Sequence, residues 1–324
     1  MQFPLTAYCS PLSFSDMVST AQGHVALILN PGSGAGSAAE TSERIATAFR
    51  AAGREVRITP ARSRPELTEA VGAAIAGHAA VVVAGGGDGT VSAVAAALLG
   101  QDTPLGVLPL GTLNHFARDL GIPLGLEEAI QVILAGHTTA IDVGEVNGHT
   151  FLNNASLGLY PHIVLARRKH PARGIRKWVI AFWVTVKVLS RHRSMAVRLS
   201  VGDEVALRRT AIVFVGNNEY RAAGFAAGSR ESLSGGTLAI YLVNAGGRSH
   251  PFRLIRLAWH MVRGVALDGD HLEMVRAPAV TVESKRSRLH IALDGEVSVF
   301  EVPLEFRSLP GALRVLVPAQ EPRR

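Results

Sequence analysis

The chain has 324 residues, with 33 Lys+Arg against 26 Asp+Glu and a net charge of +7. A hydrophobic fraction of 48% with only 18% charged residues excludes a disordered protein, and 33 glycines without a G-X-Y period exclude collagen. The single cysteine, Cys9, excludes an intrachain disulfide framework and a thiolate metal cluster.

Residues 1–22 read as a loose extension, without the basic start of a signal peptide and interrupted by Pro4 and Pro11. From there to about Ala140, short β-branched runs alternate with alanine-rich stretches. VALILN (25–30) predicts a buried strand, followed by a helix from Ser37 to Ala52 that Gly53 closes. EVRIT (55–59) predicts a second strand. Ser63 and Glu66, at capping-box spacing around Pro65, then open a helix that runs to Gly77. AVVVAG (80–85) and PLGVLPLG (104–111) predict two more strands, with helices expected over 90–99 and 114–120. Apolar strands alternating with helices imply a mainly parallel sheet covered on both faces. Beyond Ala140 the period falls to two. Asn147-Gly148 sits between IDVGEV and HTFLNN as a hairpin signal, and MAVRLSV, VALRRTAIVFVG, TLAIYLV, HLEMVR, AVTVES, LHIALDG and VSVFEV alternate through residue 302. This half is expected to be an antiparallel sandwich or barrel with two helical insertions. Ser156 is read as a residue that turns the chain.

Three glycine loops each follow a predicted strand of the first half: Asn30-Pro31-Gly32-Ser33-Gly34, Gly85-Gly86-Gly87-Asp88-Gly89-Thr90, and Gly111-Thr112-Leu113-Asn114. In a parallel sheet such loops gather at the carboxyl ends of the strands, where ligands bind. Glycines let backbone N–H groups approach phosphate oxygens, and a following helix adds partial positive charge. Neither the Walker sequence nor a clean G-x-G-x-x-G occurs. A carboxylate inside a phosphate cradle repels the ligand unless a cation intervenes, so Asp88 suggests Mg²⁺ between protein and nucleotide. The alternative is a turn aspartate bonded to its own backbone.

NPGSG, GGGDGT, PLGTLNHFARDLGIP, IDVG and the late LDGE, in this order, resemble the diacylglycerol kinase catalytic-domain family of lipid kinases, from about His24 to Val317. The resemblance implies an α/β nucleotide-binding domain with a mainly parallel sheet (23–142), then an antiparallel β-sandwich domain for the lipid substrate (143–317), whose last strands could return to the first domain. Residues 318–324 would form a tail. It implies that Asn30, Pro31, Gly32, Ser33, Gly34, Thr59, Gly86, Gly87, Asp88, Gly89, Thr90, Val91, Ser92, Thr112 and Asn114 line an ATP site. Asp88 and Asp142 would belong to the Mg²⁺ network, with Asp88 counted among the catalytic residues. Two departures stand out. His115 replaces an aspartate found in many members, and Gly235 stands where many bacterial members carry an aspartate that binds a structural Mg²⁺, which puts that metal in doubt.

Phosphoryl transfer to a hydroxyl needs a proton acceptor. The family's motif points to Asp294-Gly295-Glu296, with Glu296 favoured as the base and Asp294 as its orienter or the alternative. Gly295 would let the turn expose both acids. From Val146 to Gly202 there is no acid and there are ten Lys/Arg, among them Arg167, Arg168 and Lys169, so this segment alone accounts for the basicity of the chain. IRKWVIAFWVTVKVL (175–189) and PFRLIRLAWHMVRG (251–264) carry the three tryptophans. They read as helices lying on an anionic membrane surface, or else as core helices with solvated basic ends. No nucleic-acid motif appears. The expectation is a cytoplasmic, peripherally membrane-associated, ATP- and Mg²⁺-dependent lipid kinase. The alternatives are a kinase for a soluble substrate, as in the NAD kinases, or a lipid-binding protein that keeps the fold without turnover.

Overall fold

The computed structural model describes residues 23–33, 37–168, 194–220, 230, 232–243 and 272–319. The expected N-terminal extension, Gly34, the 175–189 and 251–264 helices and the end of the tail lie outside the described residues.

The first half follows the predicted alternation. Strands β1 (Val25–Leu29), β2 (Val56–Pro60), β3 (Val81–Gly86) and β4 (Leu105–Pro109) pair in parallel in the order β2-β1-β3-β4. All five residues of β1, all six of β3 and all five of β4 are buried, as strands covered on both faces must be. Helix α1 (Ala38–Ala51) starts where the Ser37 side chain accepts the Glu40 N–H. It buries Ile45 and Phe49, and ends before Gly53 at φ +69°. Helix α2 (Arg64–Ala76) starts at the Ser63 cap with Pro65 in its first turn, and buries Leu67, Val71 and Ala74.

Helix α3 (Asp88–Leu98) begins two residues earlier than predicted, so Asp88 is its first residue and not part of the preceding loop. The five-residue α4 (His115–Asp119) follows β4. Helix α5 (Leu126–Ala135), which the sequence reading passed over, carries Glu127 and Glu128 in its first turn and ends at Gly136 in the left-handed region.

The second half builds a sandwich. Strands β5 (Thr138–Val146) and β6 (His149–Phe151) form the expected hairpin, with Asn147 and Gly148 at φ +46° and +79°. β7 (Asn154–Gly158) contains Ser156, which is fully buried in mid-strand; the reading of Ser156 as a turn residue is therefore wrong. Helix α6 (Leu159–Arg168) follows, then β8 (Met195–Val201), β9 (Glu204–Thr210) and β10 (Ile212–Asn217). The VALRRTAIVFVG run was read as one segment, but it divides at Ala211 between two sheets. The corner is fixed by the fully buried Thr210, whose Oγ1 lies 2.7 and 2.8 Å from the carbonyl oxygens of Ile212 and Val243.

β11 (Leu238–Val243), β12 (Leu272–Ala277), β13 (Ala279–Ser284), β14 (Arg288–Leu293) and β15 (Glu296–Glu301) complete the predicted strands. An antiparallel sheet in the order β12-β11-β10-β7-β14-β15 packs on β13, β8 and their neighbours. Leu157, Val215, Ile240, Val282, Ile291 and Phe306 belong to the shared core.

One unpredicted strand joins the halves. β16 (Leu304–Leu316) pairs antiparallel with β13 and β5, breaks register between Leu309 and Leu313, and then pairs in parallel with β4 at Val315↔Leu105. The parallel sheet and one layer of the sandwich are thus a single ten-stranded sheet.

Candidate active site

The parallel registers set the site. Leu29 pairs with both Pro60 and Gly85, and Gly86 pairs with Pro109, so the carboxyl ends of four strands lie in one row. The glycine loops leave from that row and are tied to each other. The Asn30 N–H bonds to the Gly85 carbonyl (2.9 Å), the Leu110 N–H to the Gly86 carbonyl (3.0 Å), and Asn30 Nδ2 to Thr90 Oγ1 (3.2 Å). Asn30 Oδ1 accepts from the Gly32 N–H at 2.9 Å, which shapes its own turn.

Two glycines are required by close approach. A Cβ on Gly86 would fall 2.5 Å from Thr90 Oγ1, and one on Gly111 would fall 2.5 Å from Gly87 Cα. The second and third loops therefore touch backbone to backbone. Thr59 and Thr112 are exposed at the same end, and Gly87 and Gly89 are partly open. The N–H groups of Asp88 and Gly89 begin α3 and have no carbonyl one turn back, as an anion cradle needs.

Several of the expected ligand-lining residues also act as internal supports. Val91 is buried in the first core, with its N–H on the Gly87 carbonyl. Asn114, left-handed at φ +52°, spends its amide on the Gly111 N–H and on the Pro109 and Gly111 carbonyls, so it holds the third loop in shape. Ser92 donates to Asp294 (2.8 Å).

The two acids of the late motif part company. Asp294 and Gly295, at φ +46° and +84°, form the two-residue turn between β14 and β15. The expectation that this turn exposes both carboxylates fails for Asp294. Its Oδ1 accepts from the Asn153 and Asn154 N–H groups (2.8 and 3.1 Å), and its Oδ2 from the Leu152 N–H and the Ser92 hydroxyl (both 2.8 Å). Burial pushes its pKa up, against the pull of those four donors. These four donors make Asp294 a latch between α3 and the β6–β7 link, and it also lies on the wall of the cavity beside Glu296. Glu296 is half-exposed. Its Oε1 stands 3.3 Å from where a Cβ on Gly89 would be, and its Oε2 accepts from Arg64 Nη2 at 2.8 Å. A cavity of about 330 Å³ opens beside them, between α2–α3 and the sandwich, with Ser92, His149, Thr150 and Phe300 on its walls.

Asp88 and Asp142 differ in the same way. Asp88 Oδ1 caps the Phe116 N–H (3.2 Å) at the start of α4 and the residue stays partly open. One open carboxylate at the mouth of an anion cradle fits a Mg²⁺ held mainly by phosphates and water. Asp142 is 2% exposed, and its carboxylate accepts from Asn218 Nδ2 and from the Gly236 and Gly311 N–H groups. Three N–H dipoles point where a cation would have to sit, so these residues do not fit a metal at Asp142, and it shares no hydrogen-bond partner with Asp88. At Gly235 the space an aspartate side chain would need is taken by Asn218 Oδ1, 2.6 Å from the Cβ position. Among the described residues no cluster of three His, Cys, Asp or Glu side chains could hold a metal.

Sequence reading missed a buried ion pair. Arg230 Nε lies 2.8 Å from Asp119 Oδ2, with the two side chains 1% and 2% exposed, and Arg230 Nη1 also donates to the carbonyls of Leu152 (2.7 Å) and Asn217 (3.2 Å). Burial raises the Asp119 pKa in spite of Arg230. The pair clamps α4 to the sandwich. Its 111-residue separation leaves no local signal.

A parallel-sheet domain with glycine loops and a half-exposed carboxylate brought to them from a sandwich define a kinase of two-domain type. Comparison with known proteins agrees. Residues 24–146 match the diacylglycerol kinase catalytic domain, and residues 167–317 match the YegS C-terminal NAD kinase beta sandwich-like domain. The chain thus carries a diacylglycerol kinase catalytic domain followed by a YegS-type C-terminal domain. It is 28% identical over 304 residues to a diacylglycerol kinase of Mycobacterium tuberculosis, covering 91% of this chain and 96% of that one. It is 50% identical over 84 residues, 24% of this chain and 28% of the other, to the Escherichia coli protein named "Probable lipid kinase YegS". A diacylglycerol kinase structure from Bacillus anthracis superposes with a TM-score of 0.68 at 22% identity, over 91% of this chain and 96% of that one, which shows the shared fold.

Proposed function

We propose that the protein transfers the γ-phosphoryl group of ATP to a hydroxyl of a membrane lipid such as diacylglycerol. The observation that carries this reading is Glu296, delivered by the sandwich to the first turn of α3 among the glycine loops. The acceptor hydroxyl enters from the adjoining cavity and its oxygen attacks the γ-phosphorus. Its proton passes to the Glu296 carboxylate, while the P–O bond to ADP breaks and its electron pair leaves on ADP. Asn30, Gly32, Ser33, Gly86, Gly87, Gly89 and Thr112 shape or line the phosphate cradle, and Pro31, Thr59 and Thr90 lie in or beside it. Asp88 would hold Mg²⁺, which supplies charge neutralisation on the phosphate oxygens. Asp294 and Ser92 keep the Glu296 turn on α3.

The test is transfer from γ-labelled ATP to a panel of diacylglycerol, phosphatidylglycerol, ceramide and sphingoid bases in mixed micelles. Labelled lipid supports the reading; no labelled lipid overturns it. The match of residues 167–317 to an NAD kinase-like sandwich favours a second reading, phosphorylation of a soluble dinucleotide, which label appearing in NAD without lipid would establish.

A further inference from the structure

The ion pair between Arg64 and Glu296 joins residues 232 apart, on different domains. Arg64 is the first residue of α2, and its place is set by the Ser63 cap and by Pro65. Glu296 is the first residue of β15, with a backbone pinned by the Asp294-Gly295 turn and by pairing with Leu293. Its side chain has no such restraint. Among the described residues, the one hydrogen bond to the Glu296 carboxylate comes from Arg64, and it engages Oε2. Oε1 is left facing Gly89, in the first turn of α3. Both side chains are half-exposed, at 56% and 52%, and ion pairs this open contribute little to stability. The consequence of the contact is therefore orientation.

We propose that Arg64 is a positioning residue for phosphoryl transfer: by holding Oε2 it turns Oε1 of Glu296 toward the first turn of α3, and Oε1 receives the proton. A carboxylate free to rotate would spend part of its time turned into the cavity, and small misplacements of a reacting group carry large rate penalties. This role rests on the kinase reading above.

The experiment combines kinetics with a measurement that needs no turnover. Arg64→Ala is expected to lower kcat roughly 10- to 100-fold while KM for ATP stays unchanged. Arg64→Lys, which keeps a charged donor, is expected to recover a large part of the loss. In the Glu296→Gln background, Arg64→Ala is expected to have no further effect, because it acts through that carboxylate. In protein labelled with ¹³C-glutamate, the Glu296 Cδ resonance, identified by its disappearance in Glu296→Gln, should move in Arg64→Ala and return toward its wild-type position in Arg64→Lys. Wild-type kcat in Arg64→Ala, additive losses in the double variant, or an unmoved Cδ resonance would each overturn the positioning role while the kinase reading stands. A wild-type protein that labels no lipid but shows the Cδ response would overturn the kinase reading, and with it any catalytic meaning of the contact.

Discussion

Asp294 and Glu296 sit two residues apart in one motif, yet their surroundings give them separate tasks. Asp294 receives four hydrogen bonds, from α3 and from the β6–β7 link. An amide at this position must turn its NH₂ toward two of those donors, and leaving buried donors unpaired costs about 1–3 kcal/mol each. Asp294→Asn is therefore expected to lower the thermal midpoint as well as activity. Glu296→Gln removes a half-exposed carboxylate that has one hydrogen-bond partner, Arg64, among the described residues. It should lower kcat by roughly 10²-fold or more with the midpoint nearly unchanged. Differential scanning calorimetry beside the lipid assay separates the two. An equal midpoint in both variants would show that the Asp294 latch carries no weight.

At the scale of elements, the loops work because they touch. Gly111 has ordinary backbone angles and is needed for space alone, since its Cβ would overlap Gly87 Cα. Backbone cannot step aside as a flexible side chain can, and overpacking of this kind costs about 1–3 kcal/mol. Gly111→Ala is expected to part the second and third loops and raise KM for ATP roughly tenfold, which nucleotide titration by fluorescence can follow. The turn around Gly235 and Gly236 is held by direct hydrogen bonds, with Asp142 accepting from Asn218 Nδ2 and the Gly236 N–H and Asn218 Oδ1 accepting from the Gly235 N–H. A chelator should accordingly leave the thermal midpoint of the nucleotide-free protein where it is. A fall of several degrees in EDTA, reversed by added Mg²⁺, would mean that a metal sits in this network after all.

At the scale of the whole molecule, no helix among the described residues is long and apolar enough to cross a membrane, so the proposed lipid kinase would have to meet its substrate at the membrane surface. The acid-free stretch from Val146 to Gly202, which contains α6, concentrates the positive charge of the chain. We propose that residues 161–200 dock on anionic lipid. Each basic residue near such a surface contributes about 1 kcal/mol, weakened by salt. Replacing Arg167, Arg168 and Lys169 with Glu should reduce sedimentation with phosphatidylglycerol vesicles at low salt far more than with neutral ones. ATP binding should be kept, because the glycine loops lie at the other domain. Equal sedimentation of variant and wild type would overturn the docking role of this segment.

The sequence by itself determined the local architecture, including the loops at the strand ends. Continuous apolar runs, Ser37 and Ser63 as caps, Asn147-Gly148 as a hairpin turn and the three glycine loops all act within a few residues, and local signals of that range are readable in one dimension. The same holds for Asp88 and Glu296, whose motifs marked them before any packing was known. Only the tertiary structure decided the rest. β16 escaped notice because Pro310 and Gly311 interrupt its pattern, and the break becomes intelligible as a bulge where the strand passes from the sandwich to β4. Ser156 resembled a turn residue, and it is the two strands flanking β7 that make it central. The enclosure of Asp294, the exhaustion of Asp142 by N–H donors, the Asp119–Arg230 clamp and the Arg64–Glu296 contact all depend on which groups meet across large separations. Burial and hydrogen-bond saturation belong to the assembled neighbourhood of a residue, and neither is a property of its place in the chain.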